Sequence, residues 1–316
     1  GPQNTVTGDT LCSKNHPVIL ERMVFPEPVM SVAIEPQTQS ERKKMEEAIQ
    51  SLMKEDPTFK MRKNEETGET LISGMGELHL EILTKRIVEE FNVKARVGKP
   101  QVAYKQTVRE SAEISYEYNR VVGLQRHKGR VRLWIEPSSK ISDVVVDNRT
   151  EIGKINSAFV ASVNDGVNFA IEGGIGYGFP FVGMKVIFAA EEVDVDGTEL
   201  GYYSAAVEGM RKGVLEAKLR VLEPKMRLEV HTPQEFVGEV LSDLGTRAAT
   251  IEEIETIDDL KIVRGTVAVS KMFGYATLLR SITQGKGAFT MEPTGYVPVP
   301  EEVAESLGLF RIGVQP

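Results

Sequence analysis

The sequence predicts an α+β protein with two βαββαβ units, one near each end, separated by a stretch of different character. Three observations predict it. Strands and capped, striped helices follow one another in the same order over residues 29–97 and 225–292. The roughly 120 residues between these units carry longer strands and two longer helices. The length, 316 residues at 41% hydrophobic and 27% charged, suits two domains or three small ones.

The first unit opens on Val29–Pro36, whose alternating apolar residues read as a strand. Thr38-Gln-Ser-Glu41 has capping-box spacing, and Met45, Ala48, Ile49 and Leu52 then fall on one helix face, which Pro57 ends. Phe59–Lys63 and Thr70–Ser73 read as strands joined by a turn at Glu65-Glu-Thr-Gly68. Gly74 and Gly76 are expected to let the backbone turn sharply into a helix over Glu77–Phe91. Leu80, Leu83, Ile87 and Phe91 form its apolar stripe, and Glu81, Lys85 and Glu89 lie four apart on its outer side. His79 and Arg86 fall on the flank near Ile82, free to face a partner. Asn92–Val97 closes the unit in the ferredoxin-like order.

The middle stretch is expected to hold strands at Val102–Arg109, Ile114–Val122, Gly129–Glu136 and Asp143–Asn148. A helix over Ser157–Glu172, a glycine-rich turn at Gly173–Gly178, a strand over Phe181–Ala189 and a long helix over Gly197–Lys218 follow. The second ferredoxin-like unit begins with the strand Lys225–His231. Thr232-Pro-Gln-Glu235 reads as a capping box, with Val237, Val240, Leu241 and Leu244 as the stripe and Gly245 as the stop. Strands over Arg247–Glu255 and Lys261–Val269 cross an Asp258-Asp259 turn. A helix over Lys271–Ser281 and the strand Ala288–Glu292 complete it, and a proline-bounded tail carries one short helix at Glu301–Ser306. Residues 1–17 are polar and read as the tail of a preceding domain, so the chain is expected to be a piece of a longer protein.

Composition excludes several classes of function. No apolar run approaches the ~20 residues of a membrane span, and no basic-then-apolar signal pattern opens the chain. A single cysteine, Cys12, allows no intrachain disulfide and points to a reducing compartment. The net charge of −8 argues against a protein coated in nucleic acid, while leaving room for a local basic patch.

Motifs for chemistry are sparse. The chain has no G-x-x-x-x-G-K-[ST] sequence, and Gly285-Lys286-Gly287 precedes a strand, the context of a structural turn. Binding of GTP or ATP by this chain alone is therefore not expected. His16, His79, His127 and His231 lack metal-ligand spacing, and Asp194-Val-Asp196-Gly197 lacks the third acid of a calcium loop. No catalytic set and no resident cofactor or metal is expected. The informative cluster is basic: Arg120, Arg126, Lys128, Arg130 and Arg132 fall within 13 residues, with His127 among them and no acid. They lie on a hairpin around Gly123–Gly129, and cations projecting from a hairpin tip suit phosphate contacts to RNA.

Several stretches together resemble the C-terminal half of translation elongation factor G. They include Gly8-Asp-Thr-Leu-Cys12, Glu21-Arg-Met-Val-Phe-Pro-Glu-Pro-Val29, Ile72-Ser-Gly-Met-Gly-Glu-Leu-His-Leu80 and Gly98-Lys-Pro-Gln-Val-Ala-Tyr104. Leu222-Glu-Pro224, Met272-Phe-Gly-Tyr-Ala-Thr277 and Thr283-Gln-Gly-Lys-Gly287 follow in the same order. The resemblance implies the end of domain II at 1–17 and a ferredoxin-like domain III at 18–98. Domain IV, at 99–222 with 298–316, would be ribosomal protein S5 domain 2-like with a left-handed βαβ crossover. A ferredoxin-like domain V would occupy 223–297.

The resemblance also implies a cytoplasmic translocation factor without membrane contact. Its partners would be the ribosome (rRNA and ribosomal proteins), tRNA and mRNA at the A site, and its own GTPase domain. GTP with Mg would sit in an N-terminal domain missing here, so the parent would be a GTPase and this fragment would not. Ribosome or RNA contacts would be made by Arg120, Arg126, His127, Lys128, Arg130, Val193 and Asp194 at the domain IV tip. Gly285, Lys286 and Gly287 would make others in domain V. Gly74, Gly76, His79 and Arg86 would relay between domains. Two tip loops depart from the family pattern. Its Gly-Gly-Arg-Gly-Gln-Tyr-Gly reads Gly123-Leu-Gln-Arg-His-Lys-Gly129 here, and its Tyr-His-Asp-Val-Asp-Ser reads Glu192-Val-Asp-Val-Asp-Gly197, with Val193 in place of the histidine. These departures suggest a divergent paralogue acting in ribosome recycling or protection. The other class of function is an RNA-binding module without GTPase coupling.

Overall fold

A computed structural model describes residue 7 and residues 9–21, 25–63, 70–138, 144–151, 153–193 and 197–306. The turn expected at Glu65–Gly68, the start of a strand at Asp143, and Asp194 lie outside the described residues. The chain divides into two compact units, Gly1–Ala103 with Pro224–Thr294, and Tyr104–Glu223 with Gly295–Pro316.

The first unit contains both ferredoxin-like modules. In the N-terminal one, β1 (Met30–Pro36) leads into α1 (Gln39–Glu55), then β2 (Lys60–Lys63), β3 (Thr70–Gly74), α2 (Glu77–Lys85) and β4 (Ala95–Val97), with the short β5 (Gln101–Val102) after it. The sheet order is β2-β3-β1-β4, all antiparallel, and β5 extends β1. Thr38 caps α1 by accepting from the Glu41 N–H at 3.4 Å. Glu41 does not return to the cap; its carboxylate accepts from the Lys94 N–H instead and so ties the helix to the strand that follows α2. Met45, Ala48, Ile49 and Leu52 are all buried, as are Leu80, Leu83 and Ile87, so both stripes face the sheet, while Phe91, the last residue of the expected second stripe, follows the helix and is only partly buried. Burying each large side chain contributes about 1.5–3 kcal/mol relative to exposure.

α2 runs on into one π-helical turn over Arg86–Glu90, closed by the Phe91 N–H on the Arg86 carbonyl. The two glycines before it act otherwise than expected, because neither takes a left-handed turn conformation. Gly74 is needed for space: a Cβ there would lie 3.0 Å from His79 Nδ1 and 3.1 Å from Leu80 Cδ2. Gly76 is extended and faces open space.

The second unit has a sheet ordered β7-β8-β10-β9 with two helices packed against it. β6 (Lys105–Val108), β7 (Ala112–Val122), β8 (Gln125–Pro137) and β9 (Val144–Asn148) precede α3 (Ser157–Phe169). β10 (Met184–Glu191) returns parallel to β9 and is followed by α4 (Glu199–Glu216). Val131, Leu133 and Ile135 from β8 meet Val186 and Phe188 from β10, Val163 and Val167 from α3, and Ala206, Met210 and Val214 from α4 in one core. α4 approaches β8 closely where Gly209 and Gly213 face Leu133 and Ile135, and a Cβ at either glycine would force the Cδ1 of its facing side chain to shift. The glycine-rich turn is plugged from below by the fully buried Gln106. Its amide donates to the Ile175 carbonyl at 2.9 Å and accepts from the Tyr177 N–H at 2.9 Å.

β11 (Leu219–Pro233) pairs with β6 over Leu219–Leu222 and with β13 over Lys225–Pro233. The C-terminal module continues with α5 (Val237–Thr246), β12 (Thr250–Ile257), β13 (Leu260–Ala268), α6 (Tyr275–Ile282) and β14 (Ala288–Pro298), in the order β12-β13-β11-β14. Three expectations fail here. Thr232 is not a cap: it stays in β11 with its side chain buried, and a 3-10 turn over Gln234–Phe236 precedes α5. Gly245 does not end α5; the helix continues to Thr246, and Ala248 takes the left-handed turn at φ 56. The expected helix over Lys271–Ser281 is broken by Phe273 and by Gly274 at φ 69 into a 3-10 turn and α6. Within this unit the Gly274 N–H donates to Glu77 at the start of α2 over 2.9 Å, joining the two modules. α7 (Glu301–Ser306) matches the short helix expected in the tail.

Candidate nucleic-acid interface

The basic stretch lies where expected, on the β7–β8 hairpin. These strands pair from Ala112↔Ile135 to Val122↔Gln125, leaving Gly123-Leu124 as a two-residue turn. Such turns need positive φ at a central position, and Gly123 supplies it at φ 66. β10 covers the other edge of β8 only from Arg130 onward, so between Arg130 and the apex β8 has a single bridge on that edge, Lys128 to Gly197. Among the described residues the outer part of the hairpin is therefore a two-stranded ribbon.

The ribbon is fixed at its base by glycines. A Cβ on Gly129 would sit 2.4 Å from the Tyr202 backbone nitrogen, and one on Gly201 would sit 2.3 Å from the Lys128 carbonyl oxygen. Strand and helix thus touch backbone to backbone. The Thr198 N–H donates to the Lys128 carbonyl, and the Thr198 hydroxyl, which caps α4 by accepting from the Gly201 N–H, lies 3.0 Å from His127 Nδ1. His127 therefore braces the hairpin against α4. Val193 also turns inward, packing against the core near Gly197.

The cluster itself is less free than its sequence suggests. The five cations have no acid among them along the chain, but cross-strand register supplies acids from β7 and β10. Glu117 takes both Arg130 and Lys128, the latter at 3.5 Å. The Arg130 guanidinium, helped by Lys128, holds the Glu117 carboxyl below the usual carboxylate range. Arg132 pairs with Glu191 at 2.9 Å and reaches Glu113 at 4.0 Å. Only Arg120, stacked 5.5 Å from the Tyr118 ring, and Arg126 have no acidic partner among the described residues, and both are exposed. Between them, unsignalled by the basic pattern, lie Val121, Val122 and Leu124, which are 60%, 49% and 106% exposed.

The other predicted site residues sit in the first unit. His79 is not free: its Nδ1 accepts from the Met75 N–H at 3.0 Å, so its Nε2–H donates to Asp56 at 2.8 Å. Arg86 is also engaged, with Glu55 at 2.9 Å and Glu90 at 2.6 Å, and these contacts raise its pKa. His79 thus braces the start of α2 against the residue that follows α1, and Arg86 braces the far end of α2 against the last residue of α1. What α2 exposes instead is Leu78 and Ile82, one turn apart and about half accessible. Gly285 and Gly287 form a tight turn after α6, with Gly285 at φ 81 and the Gly287 N–H donating to Thr283 Oγ1. Lys286 pairs with Glu235 at 3.0 Å and lies over the Phe236 ring. No group of three metal-ligating side chains occurs among the described residues.

Comparison with known proteins gives these elements a common origin. The family described as "Elongation Factor G, domain III" matches residues 25–99, "Elongation factor G, domain IV" matches 100–218, and "Elongation factor G C-terminus" matches 220–307. The chain is 41% identical over 308 residues to the elongation factor G of Fervidobacterium nodosum, a match that covers 97% of this chain and 45% of that protein. It also matches a crystal structure of a Thermus thermophilus protein at a TM-score of 0.66 and 33% identity, over 90% of this chain and 43% of that one. The chain thus spans just under half the length of these relatives. With three domain matches in sequence order over two ferredoxin-like modules and the sheet between them, the chain belongs to the elongation factor G family and corresponds to its C-terminal half.

Proposed function

We propose that this chain is the ribosome-binding portion of an elongation factor G-type translational GTPase that promotes GTP-dependent movement of tRNA and mRNA during protein synthesis in the cytoplasm. The observation that carries this reading is the ordered run of three domain matches over residues 25–307. In it, residues 1–17 close domain II, 18–98 form domain III, 99–222 with 298–316 form domain IV, and 223–297 form domain V. The projecting hairpin, with two arginines that have no acidic partner among the described residues, supports domain IV as the part that meets RNA. GTP and Mg belong to a part of such a protein outside this chain. Residues here do not suit them, because Lys286 is held by Glu235 and its glycine turn leads into a strand. The GTPase domain would meet α2 through Leu78 and Ile82, with Gly74, Gly76, His79 and Arg86 keeping that helix in register.

A second reading, a paralogue serving ribosome recycling or protection, is favoured by one observation. Val193 packs inward and offers the tip no hydrogen-bonding group. Ribosome sedimentation tests the shared part: the protein should co-sediment at low salt, and Arg120→Gln with Arg126→Gln should lower the log–log salt slope by about one to two. Absence of association at low salt overturns both readings. Single-turnover movement of messenger RNA by the full-length protein, GTPase domain included, separates them, being fast for a translocase and slow for a recycling factor.

A further inference from the structure

The apex of the β7–β8 hairpin has an arrangement that phosphate binding alone does not require. Leu124 stands fully exposed at the turn, and the two valines next to it are each about half exposed or more. Cross-strand register places Val121 opposite Arg126, while Val122 and Arg120 lie on the other face of the ribbon. Each face thus carries one valine and one arginine that has no acidic partner among the described residues, below a fully exposed leucine. Cations closer to the base pair with Glu117, Glu113 and Glu191, so among the described residues the hairpin's cations without an acid lie in its last few residues. A solvated turn gains nothing from three exposed aliphatic side chains, and glycine is already in place to make the bend.

We infer that Leu124 is an apolar wedge that enters between nucleobases of an unpaired or opened RNA segment, with Arg120 and Arg126 holding the phosphates on either side. The inference rests on the ribosome-binding reading above and identifies the part of the RNA that the tip takes. Aliphatic wedges between base steps, flanked by arginines on the backbone, lose stacking but recover apolar contact and charge neutralisation. A ribbon two strands wide, braced by His127 and Thr198, supplies the rigidity that a wedge needs. The net charge of −8 opposes adsorption elsewhere on RNA and so favours this one approach.

The test compares the protein with Leu124→Ala, Leu124→Met and Arg126→Gln for ribosome affinity at several salt concentrations and for base reactivity of the ribosomal RNA toward dimethyl sulfate. Leu124→Ala should bind roughly tenfold more weakly with an unchanged salt slope, as expected for lost apolar burial. It should also lose changes in reactivity at one or two bases that the protein otherwise produces. Leu124→Met should keep both, and Arg126→Gln should keep the base signal while lowering the slope by about one. If wild type binds with its salt slope but Leu124→Ala matches it in affinity and base signal, the wedge is overturned and the ribosome reading stands. If wild type does not bind ribosomes, both fall. Vesicles of phosphatidylcholine with one quarter phosphatidylglycerol are the remaining arm. Tighter binding there than to ribosomes, lost in Leu124→Ala, overturns the RNA assignment in favour of a lipid surface.

Discussion

Asp56 shows how one side chain can hold a corner of the fold. It follows α1, and its carboxylate accepts from the Thr58 N–H and hydroxyl at 2.8 and 2.6 Å and from the His79 ring at 2.8 Å. Burial works to raise its pKa, but these bonds and the nearby His79 outweigh it, and the net shift is downward. A carboxylate with a lowered folded-state pKa stabilises the fold above its unfolded pKa of about 3.9, and that stability is lost as pH falls through the folded value. Asp56→Asn should therefore melt lower at pH 7 and lose less further stability than wild type as pH drops below about 4. Thermal melts across that range check it, and parallel acid limbs for the two proteins would show that Asp56 carries none of the dependence. Gln106 is the comparable residue in the second unit, since its truncation would leave the Ile175 carbonyl and the Tyr177 N–H without their buried partner.

At the scale of elements, the contact between β8 and α4 decides whether the hairpin projects as a rigid ribbon. Gly129 and Gly201 meet backbone atoms, which cannot rotate away as a side chain can. Gly201→Ala should destabilise by about 2–3 kcal/mol through forced separation of strand and helix. Gly238→Ala, near the start of α5 and facing open space, should be neutral or gain up to about 1 kcal/mol. Denaturant titration of both variants would measure the contrast, and equal effects would mean that the close approach is not limiting. Much of this architecture is legible in sequence wherever one helix stripe meets one sheet: every residue named for the α1 stripe is buried. Legibility fails where the deciding neighbour is distant along the chain. Nothing local reveals that Glu117 reaches across to Arg130, that Gln106 fills the space under a glycine-rich turn some seventy residues later, or that Thr232 stays in a strand. The exposed Leu124 could have been found, since an aliphatic residue right after the turn glycine of a charged hairpin has no core to enter.

For the whole molecule, the two compact units keep separate cores even though the first is built from distant stretches of the chain. Ile49 is fully buried against the sheet of the first unit, and Val186 is fully buried in the core of the second. Truncating either to alanine should cost about 2–5 kcal/mol of its own unit's stability. Segments with their own cores unfold as separate cooperative steps unless a large apolar contact couples them. Scanning calorimetry of wild type should then resolve two transitions, with Ile49→Ala lowering one and Val186→Ala lowering the other. The continuous strand β11 is the covalent route for any coupling, because Leu219–Leu222 pairs in one unit and Lys225–Pro233 in the other, with only Glu223 and Pro224 between. Pro224 has no N–H to donate to a ladder, which suits a break in pairing at that point. A single transition displaced equally by both substitutions would mean that the strand transmits stability through Pro224 and that the two units unfold as one.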